Sequence, residues 1–244
     1  MSILSGPVSE VDYGCAELTK GLFANSSFET APANVSQSIY LGLIQDIFGR
    51  KRERGEQITE AGVAKEYHVS TIPVREAFLK LEREGWIERS HNKRTFISKY
   101  GPEKLRELYQ LRKVLEIGAF YSLAQRITGQ QFSHLESLVA NVDHAYTHKQ
   151  VQAYREADLI YHCTVVFFAC GRQGEKIYEN ILLKCLSFVD YPADPDDFMK
   201  YPLETHQPSH HSIQKALHSQ DLMTLIPLVE QHVLSGAKSA GIDM

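Results

Sequence analysis

The stretch HVSTIPVREAFLKLEREGW, residues 68–86, constrains the fold of this 244-residue chain more than any other. Ser70 can cap a helix, and Pro73 falls in the first turn, where a missing N–H does little harm. Apolar residues then recur at helical spacing, at Val74, Ala77, Phe78 and Leu81. Gly85 is placed to end the helix. The pattern predicts a short amphipathic helix with a polar outer face.

The segments around this helix predict a winged helix-turn-helix over residues 35–100. Upstream, one helical pattern starts at Val35, and a second, shorter one follows Thr59 as its cap. Downstream, WIERS and TFISKY predict two short strands around the polar turn HNKR. Three helices followed by a β-hairpin form the plan of this DNA-binding module.

Residues 101–244 predict a separate, all-helical domain that begins at Gly101-Pro102. Helical patterns follow one another with no convincing strand, over residues 102–127, 131–148, 151–169, 173–190, 208–219 and 221–236. The Pro-rich, acidic stretch 191–208 is expected to be a loop between helices. The predicted fold class is therefore mostly α, a winged helix-turn-helix followed by an antiparallel helical bundle.

Charge follows the same division. Residues 35–100 carry 12 Lys and Arg against nine Asp and Glu, a net charge of +3 within a chain of net charge −4. Residues 1–34 have a net charge of −3, and their Gly, Ser, Pro and Asn predict a flexible arm. The positive segment coincides with the predicted winged helix, as expected for a DNA-reading module joined to a domain that does not bind DNA.

Several classes of protein are disfavoured by what the sequence lacks. No apolar run is long enough to span a bilayer, and the N-terminus has no basic region followed by an apolar core. The four cysteines show no CxxC spacing, which fits thiols in a reducing cytoplasm. No Gly-rich phosphate loop, nucleophile elbow or HExxH is present. We therefore expect a cytoplasmic, nucleoid-associated protein that is not an enzyme.

Two segments supply the candidate DNA contacts, at the start of the predicted reading helix and at the wing. The residues are Ser70, Thr71, Arg75, His91, Asn92 and Lys93. A helix N-terminus with free N–H groups can hold a phosphate, and an Arg one turn further along can bond guanine in the major groove. A solvated basic face is the alternative, but the order of caps, hairpin and charge favours DNA.

The stretch HVSTIPVREAFLKLEREGWIERSHNKRTFIS resembles the GntR family of bacterial regulators, whose pattern is V-S-R-x-P-V-R-E-A-L, then L-x-x-E-G, then a wing. Nine positions match: Ser70, Pro73, Val74, Arg75, Glu76, Ala77, Leu81, Glu84 and Gly85. Thr71 and Ala61 stand where the family usually has Arg, and Asn92 stands where the wing usually has Gly. The resemblance implies a DNA-binding regulator, and the departures imply a different base code that depends more on Arg75.

Four residues of the second domain are candidates for a shared divalent cation. Asp158 and His162 share one helix face at i, i+4, and His210 and His232 each lie on the apolar face of a predicted helix. Buried alone, each polar group would cost about 1–3 kcal/mol. One carboxylate and three imidazoles can satisfy one another around a metal ion, although any single one of them more often bonds a backbone carbonyl.

The segments DLIYHCTVVFFACG and HHSIQKALHSQDLMTLIPLVEQH resemble the D-x-x-F-H and H-x-x-I-x-x-A-I-x-x-G-D…H patterns of FCD ligand-binding domains. In metal-containing members the matching positions are the ligands, which gives Asp158, His162, His210 and His232. His206 and His211 are alternatives for the second histidine. Such ligands suit Zn or Ni first, and Mn or Fe as alternatives. Pro227 is expected to kink the last helix before His232.

Arg112, in LYQLRKVLE, matches the first-helix Arg that faces the cavity in several such domains, and it can pair with a carboxylate effector. A surface ion pair with Glu116 is the alternative. The combined prediction is a homodimeric repressor on double-stranded DNA with a palindromic operator, controlled by a small carboxylate metabolite. A metal hydrolase or oxygenase that carries a winged helix, and a winged helix used only for protein contacts, are the competing hypotheses.

Overall fold

A computed structural model describes residues 34–188 and 209–244. The predicted arm, apart from Asn34, lies outside the described residues. The predicted loop at 191–208, with the alternative ligand His206, lies outside them as well.

The first part of the described chain is a winged helix-turn-helix, as predicted. Its elements are α1 (Val35–Phe48), β1 (Gln57–Ile58), α2 (Glu60–Glu66), α3 (Thr71–Arg83), β2 (Ile87–Arg89) and β3 (Thr95–Ile97). The strands form an antiparallel sheet in the order β1-β3-β2, in which β1 adds a third strand to the expected hairpin. The sequence pattern did not predict β1, which has only two residues.

The local signals explain most of these boundaries. The Thr59 side chain caps α2 by accepting a hydrogen bond from the Gly62 N–H, at 3.0 Å. Ser70 is at the N-cap of α3 but makes no side-chain capping bond. Gly85 follows α3 with a φ of 80°, a left-handed conformation that favours glycine. The predicted stripe of α3 is buried, at Val74, Ala77, Phe78 and Leu81.

The second part of the described chain is helical. It contains α4 (Pro102–Ala124), α5 (Gly129–Thr147), α6 (Val151–Ser187), α7 (His210–His218) and α8 (Leu222–Ser239). Pro227 lies inside α8, which remains one helix. No helix of the described part is both long and apolar enough to cross a membrane.

Gly171 divides α6 into two arms that fold back on each other. Its φ of 69° and ψ of −172° are not helical. The Arg155 guanidinium donates a 2.8 Å hydrogen bond to the carbonyl oxygen of Leu186, 31 residues later. In one straight helix these residues would be about 46 Å apart. The first arm (residues 151–170) and the second arm (residues 172–187) therefore form a helical hairpin, which agrees with the two separate helical patterns in the sequence.

The open end of this hairpin packs against the winged helix. The Phe188 ring stacks on Tyr100 with a centroid distance of 4.3 Å and also contacts Trp86. The Arg54 side chain donates a 2.8 Å hydrogen bond to the Phe188 carbonyl oxygen. Since Trp86 and Tyr100 flank the wing strands, the end of α6 is in direct contact with the DNA-binding module.

Candidate metal centre and DNA-contacting surface

Four buried side chains from three helices meet in the interior of the helical bundle. Asp158 and His162 come from the first arm of α6, His210 is the first residue of α7, and His232 lies on α8. One ligand atom from each lies within 4.8 Å of all the others. His232 reaches the group although Pro227 precedes it by five residues.

Four of the six separations within this cluster are close to those of ligands around one ion. His162 Nε2 lies 3.2 Å from Nε2 of His210 and 3.2 Å from Nε2 of His232. Asp158 Oδ1 lies 3.6 Å from His162 Nε2 and 3.4 Å from His210 Nε2. Four donors at about 2.0–2.2 Å from a tetrahedral metal are about 3.3 Å apart. Three imidazole nitrogens that face one point cannot all satisfy one another with hydrogen bonds, because each ring nitrogen carries either one proton or one lone pair.

The electrostatics of three of the four cluster residues favour protonation states that can bind a metal. Burial alone would raise the pKa of Asp158, but His162 and the hydrogen bonds from His162 and His210 hold it well below its usual range. Burial lowers the pKa of His210, and burial together with the charges of His210, His162 and Arg112 holds that of His232 well below its usual range. These shifts favour an ionised carboxylate and neutral imidazoles at His210 and His232. Burial would lower the pKa of His162 as well, but the charges of Glu116 and Asp158 raise it overall, so His162 is the imidazole that must lose a proton when a metal binds.

The buried carboxylate of Glu116, on α4, lies next to His162 Nδ1, the ring nitrogen that faces away from this cluster. Its side chain is 0% exposed, and its Oε1 accepts hydrogen bonds from Arg112 Nε and the Tyr178 hydroxyl, each at 2.5 Å. Its Oε2 lies 3.0 Å from His162 Nδ1, an ion-pair separation without the angle of an aligned hydrogen bond. A carboxylate at the far ring nitrogen orients a ligating histidine and leaves Nε2 for the metal.

The sequence predicted Glu116 only as the partner of Arg112 in a surface ion pair, and it gave no indication of Tyr178. The pair Arg112–Glu116 is present but buried, since Arg112 is only 4% exposed. The available signal was the position of Glu116 on the apolar face of α4, three residues before Ala119 and four before Phe120. Arg112 Nη2 lies 3.2 Å from His162 Nε2, so the guanidinium borders the cluster.

The predicted DNA-contacting residues lie on one exposed part of the winged helix. Ser70, Thr71 and Arg75 are exposed at the start of α3, and His91, Asn92 and Lys93 are exposed in the turn between β2 and β3. The left-handed residue of that turn is Lys93, with a φ of 58°. The turn is closed by a 2.9 Å hydrogen bond from the Lys93 N–H to the Ser90 carbonyl oxygen.

An acidic residue that the sequence did not single out orients Arg75. Glu60, the first residue of α2, lies 3.1 Å from Arg75 Nε and 3.9 Å from an Arg89 nitrogen. The Arg75 side chain is 67% exposed, so the pair leaves its terminal nitrogens open to solvent. Glu60 thereby links the two helices of the helix-turn-helix across their outer face.

Comparisons with known proteins agree with this combination of fold and site. Residues 35–97 match the family described as bacterial regulatory proteins, gntR family, and residues 107–235 match the FCD domain. Together these define a DNA-binding transcription regulator rather than an enzyme. The chain belongs to the GntR family, in the group that carries an FCD domain, as the sequence patterns predicted.

Relatives and solved structures place the chain among similar regulators. The HTH-type transcriptional repressor RspR of Escherichia coli (strain K12) is 26% identical over 175 residues, 70% of this chain and 76% of RspR. The Nta operon transcriptional regulator of Aminobacter aminovorans is 35% identical over 89 residues, 36% of this chain and 42% of that protein. The structure of E. coli McbR/YncC has a TM-score of 0.71 at 14% identity, covering 86% of this chain and 98% of that chain. Lar of Listeria monocytogenes has a TM-score of 0.58 at 15% identity, covering 85% and 97%. These likenesses support the predicted fold class.

Proposed function

We propose that this regulator is a cytoplasmic, nucleoid-associated repressor whose helical domain binds a divalent metal and a small carboxylate effector. The observation that carries the proposal is the convergence of one carboxylate and three imidazoles inside the domain that adjoins the winged helix. The proposed division is an arm at 1–34, a DNA-binding domain at 35–100 and a sensor domain at 101–244. RspR is named a repressor, which favours repression over activation here.

The proposed metal ligands are Asp158, His162, His210 and His232. His211, the alternative that lies within the described residues, is exposed and pairs with Asp143 at 2.6 Å, which favours His210 as the ligand. A nitrogen-rich set with one carboxylate oxygen suits Zn or Ni first, and Mn or Fe as alternatives. A bound metal would act as a Lewis acid toward an oxygen-bearing effector.

Arg112 is proposed to hold the effector carboxylate. Its Nε is engaged by Glu116, whereas its Nη2 contacts His162 Nε2. Once that imidazole nitrogen is bonded to a metal, it has no lone pair left to accept a hydrogen bond. The Nη2 group then needs another acceptor next to the metal, and a carboxylate supplies one with charge assistance.

Homodimerisation is proposed through the exposed face of α4. Leu111, Val114 and Tyr121 are 51%, 66% and 52% exposed, and they follow one stripe of this helix with Gly118 between them. Nothing lies within 4 Å of a Cβ placed on Gly118, so a second helix has room to approach closely. A two-fold dimer presents two copies of α3 and the wing to the halves of a palindromic operator.

Two variants test the proposal on a duplex selected from random DNA by the wild-type protein. Asp158→Ala should lower the metal content, measured by elemental analysis, while DNA binding is retained and no longer responds to effector. Arg75→Ala should lose specific DNA binding, measured by a salt-dependent gel shift, while the metal content is unchanged. Full metal content in Asp158→Ala would contradict the ligand assignment. Wild-type binding that shows no sequence preference at any salt concentration would contradict an operator-reading role.

A further inference from the structure

Arg155 lies one helical turn before Asp158 on the first arm of α6. Its side chain reaches the winged helix, where Nη1 donates a 2.8 Å hydrogen bond to the carbonyl oxygen of Phe48. Its Nη2 donates another of 2.8 Å to the carbonyl oxygen of Leu186. Arg155 is only 3% exposed, so water does not weaken these bonds appreciably. One guanidinium therefore joins the first arm of α6, which carries two proposed metal ligands, to the end of α1 and to the end of the second arm of α6.

The two accepting carbonyls belong to helix C-termini. Phe48 is the last residue of α1, and Leu186 is the next-to-last residue of α6. Carbonyls at these positions have no partner within their own helix, and the helix dipole makes a cation there favourable. The guanidinium also lies over the Phe48 ring, 4.3 Å from its centroid. Only Arg supplies two N–H groups in the fixed fork that this bridge requires.

The second arm of α6 continues the connection to the DNA-reading helix. Lys184 Nζ donates a hydrogen bond to the carbonyl oxygen of Glu84, the residue that caps the C-terminus of α3. Glu84 Oε2 accepts hydrogen bonds from Asn180 at 3.2 Å and from the Tyr40 hydroxyl at 2.6 Å. Both α1 and α3 are thus hydrogen-bonded to α6. Of these connections, the one made by Arg155 lies next to the proposed metal ligands.

We propose that Arg155 couples occupancy of the metal centre to the position of the winged helix. The inference rests on the proposed function, since it requires a metal at Asp158. A metal bound there fixes the first arm relative to α7 and α8, and Arg155, about 4.5 Å away along the helix axis, passes this restraint to Phe48 and Leu186. Loss of the metal frees the first arm, and the two carbonyl bonds no longer hold α1 at one angle to the bundle.

The test compares Arg155→Gln with Arg126→Gln in the full-length protein. Arg126 is a matched control, because its guanidinium also bonds a backbone carbonyl of the first arm, that of Ala169, at the end away from the winged helix. Each protein is stripped with a chelator and reloaded with Zn²⁺ alone. The Zn²⁺ affinity is measured by competition with a chromophoric chelator. The Kd for the selected duplex is measured by fluorescence anisotropy with and without Zn²⁺.

The wild type and Arg126→Gln should change their DNA Kd by at least about fivefold on Zn²⁺ loading, the lower range of measured allosteric couplings. Arg155→Gln should change by less than about twofold and keep a Zn²⁺ affinity within about threefold of the wild type. Arg155→Lys, which keeps the charge but lacks the planar fork of two NH₂ groups, should fall between them. It also serves as the test variant if Arg155→Gln does not fold.

Three results would overturn the inference. One is a wild-type response in both Arg155 variants. Another is a fully loaded wild type whose DNA Kd is indifferent to Zn²⁺. The third is wild-type protein that takes up no metal, which elemental analysis detects before DNA is added, and which would remove the proposed metal centre as well.

Discussion

Replacing Glu116 with Gln tests whether a buried carboxylate prepares His162 for the metal. Gln has nearly the same shape, but it presents one carbonyl oxygen and one NH₂ group where Glu116 presents two acceptors. If the oxygen faces Arg112 and Tyr178, the NH₂ group faces His162 Nδ1 at a site that is 3.0 Å from the present oxygen. The imidazole then favours the tautomer with its proton on Nε2, which cannot bind a metal.

The expected loss of metal affinity is about 10–100-fold, the usual effect of removing the group that contacts the second ring nitrogen of a ligating histidine. This corresponds to about 1.4–2.7 kcal/mol. The metal-free protein should also unfold more easily. Arg112 is buried, and exchanging its charged acceptor for a neutral one weakens a hydrogen bond worth about 1.5–3 kcal/mol.

Both quantities can be measured on one preparation. Chelator competition gives the metal affinity, and urea unfolding of the stripped protein gives the free energy of unfolding. Glu175→Gln is the matched control, because Glu175 is also 0% exposed but lies near Arg172, at 3.9 Å, rather than near a cluster histidine. Unchanged metal affinity in Glu116→Gln, or an equal loss in Glu175→Gln, would refute the proposed role of Glu116.

Three further predictions concern the DNA surface, the dimer and the α6 hairpin. Glu60→Gln should lower the ratio of specific to non-specific DNA affinity by about 1.5- to 5-fold in competition gel shifts, because an exposed ion pair such as that with Arg75 is typically worth about 0.2–1 kcal/mol. An unchanged ratio would count against an orienting role. Val114→Glu should place a charge in the proposed interface and convert the dimer into a monomer, as measured by light scattering. A mass equal to that of the wild type would exclude α4 as the interface. Gly171→Ala should lower the free energy of unfolding by about 1–3 kcal/mol in urea, since its φ of 69° and ψ of −172° form a conformation that is almost restricted to glycine. Gly129→Ala, at the first residue of α5, should not, because Gly129 has no positive φ and nothing lies within 4 Å of the new methyl group.

The sequence predicted the winged helix well because its signals are local. Pro73 at the start of α3 and Gly85 at its end depend on neighbours within a few residues, and so does the apolar stripe between them. The same holds for the break near Gly171, which the helical periodicity already indicated. The positions of Asp158, His162 and the two later histidines on apolar helix faces already predicted one shared site, and the resemblance to FCD domains supported the same four residues.

The parts that sequence reasoning missed depend on contacts between distant segments. Glu116 meets His162 across 46 positions of the chain, and Glu60 meets Arg75 across two helices. Charged residues of this kind are normally solvated, so only the packed structure distinguishes them from an exposed face. The same is true of Arg155, whose partners are backbone carbonyls and therefore have no side-chain identity in the sequence.

The hairpin of α6 explains how one segment can contact both the proposed metal centre and the DNA-binding module. Because Gly171 reverses the chain, the start and the end of α6 come together at the winged helix, and both Asp158 and Lys184 lie within about two turns of that junction. A straight helix of this length would place the metal ligands and the contact with α3 far apart. A restraint at the proposed metal centre therefore has a short, hydrogen-bonded route to the DNA-reading helix. The positive φ at Gly171, the buried Glu116 and the bridging Arg155 belong to one arrangement, in which the helical domain contacts the C-terminal end of α3 and leaves its N-terminal end, with Arg75, exposed.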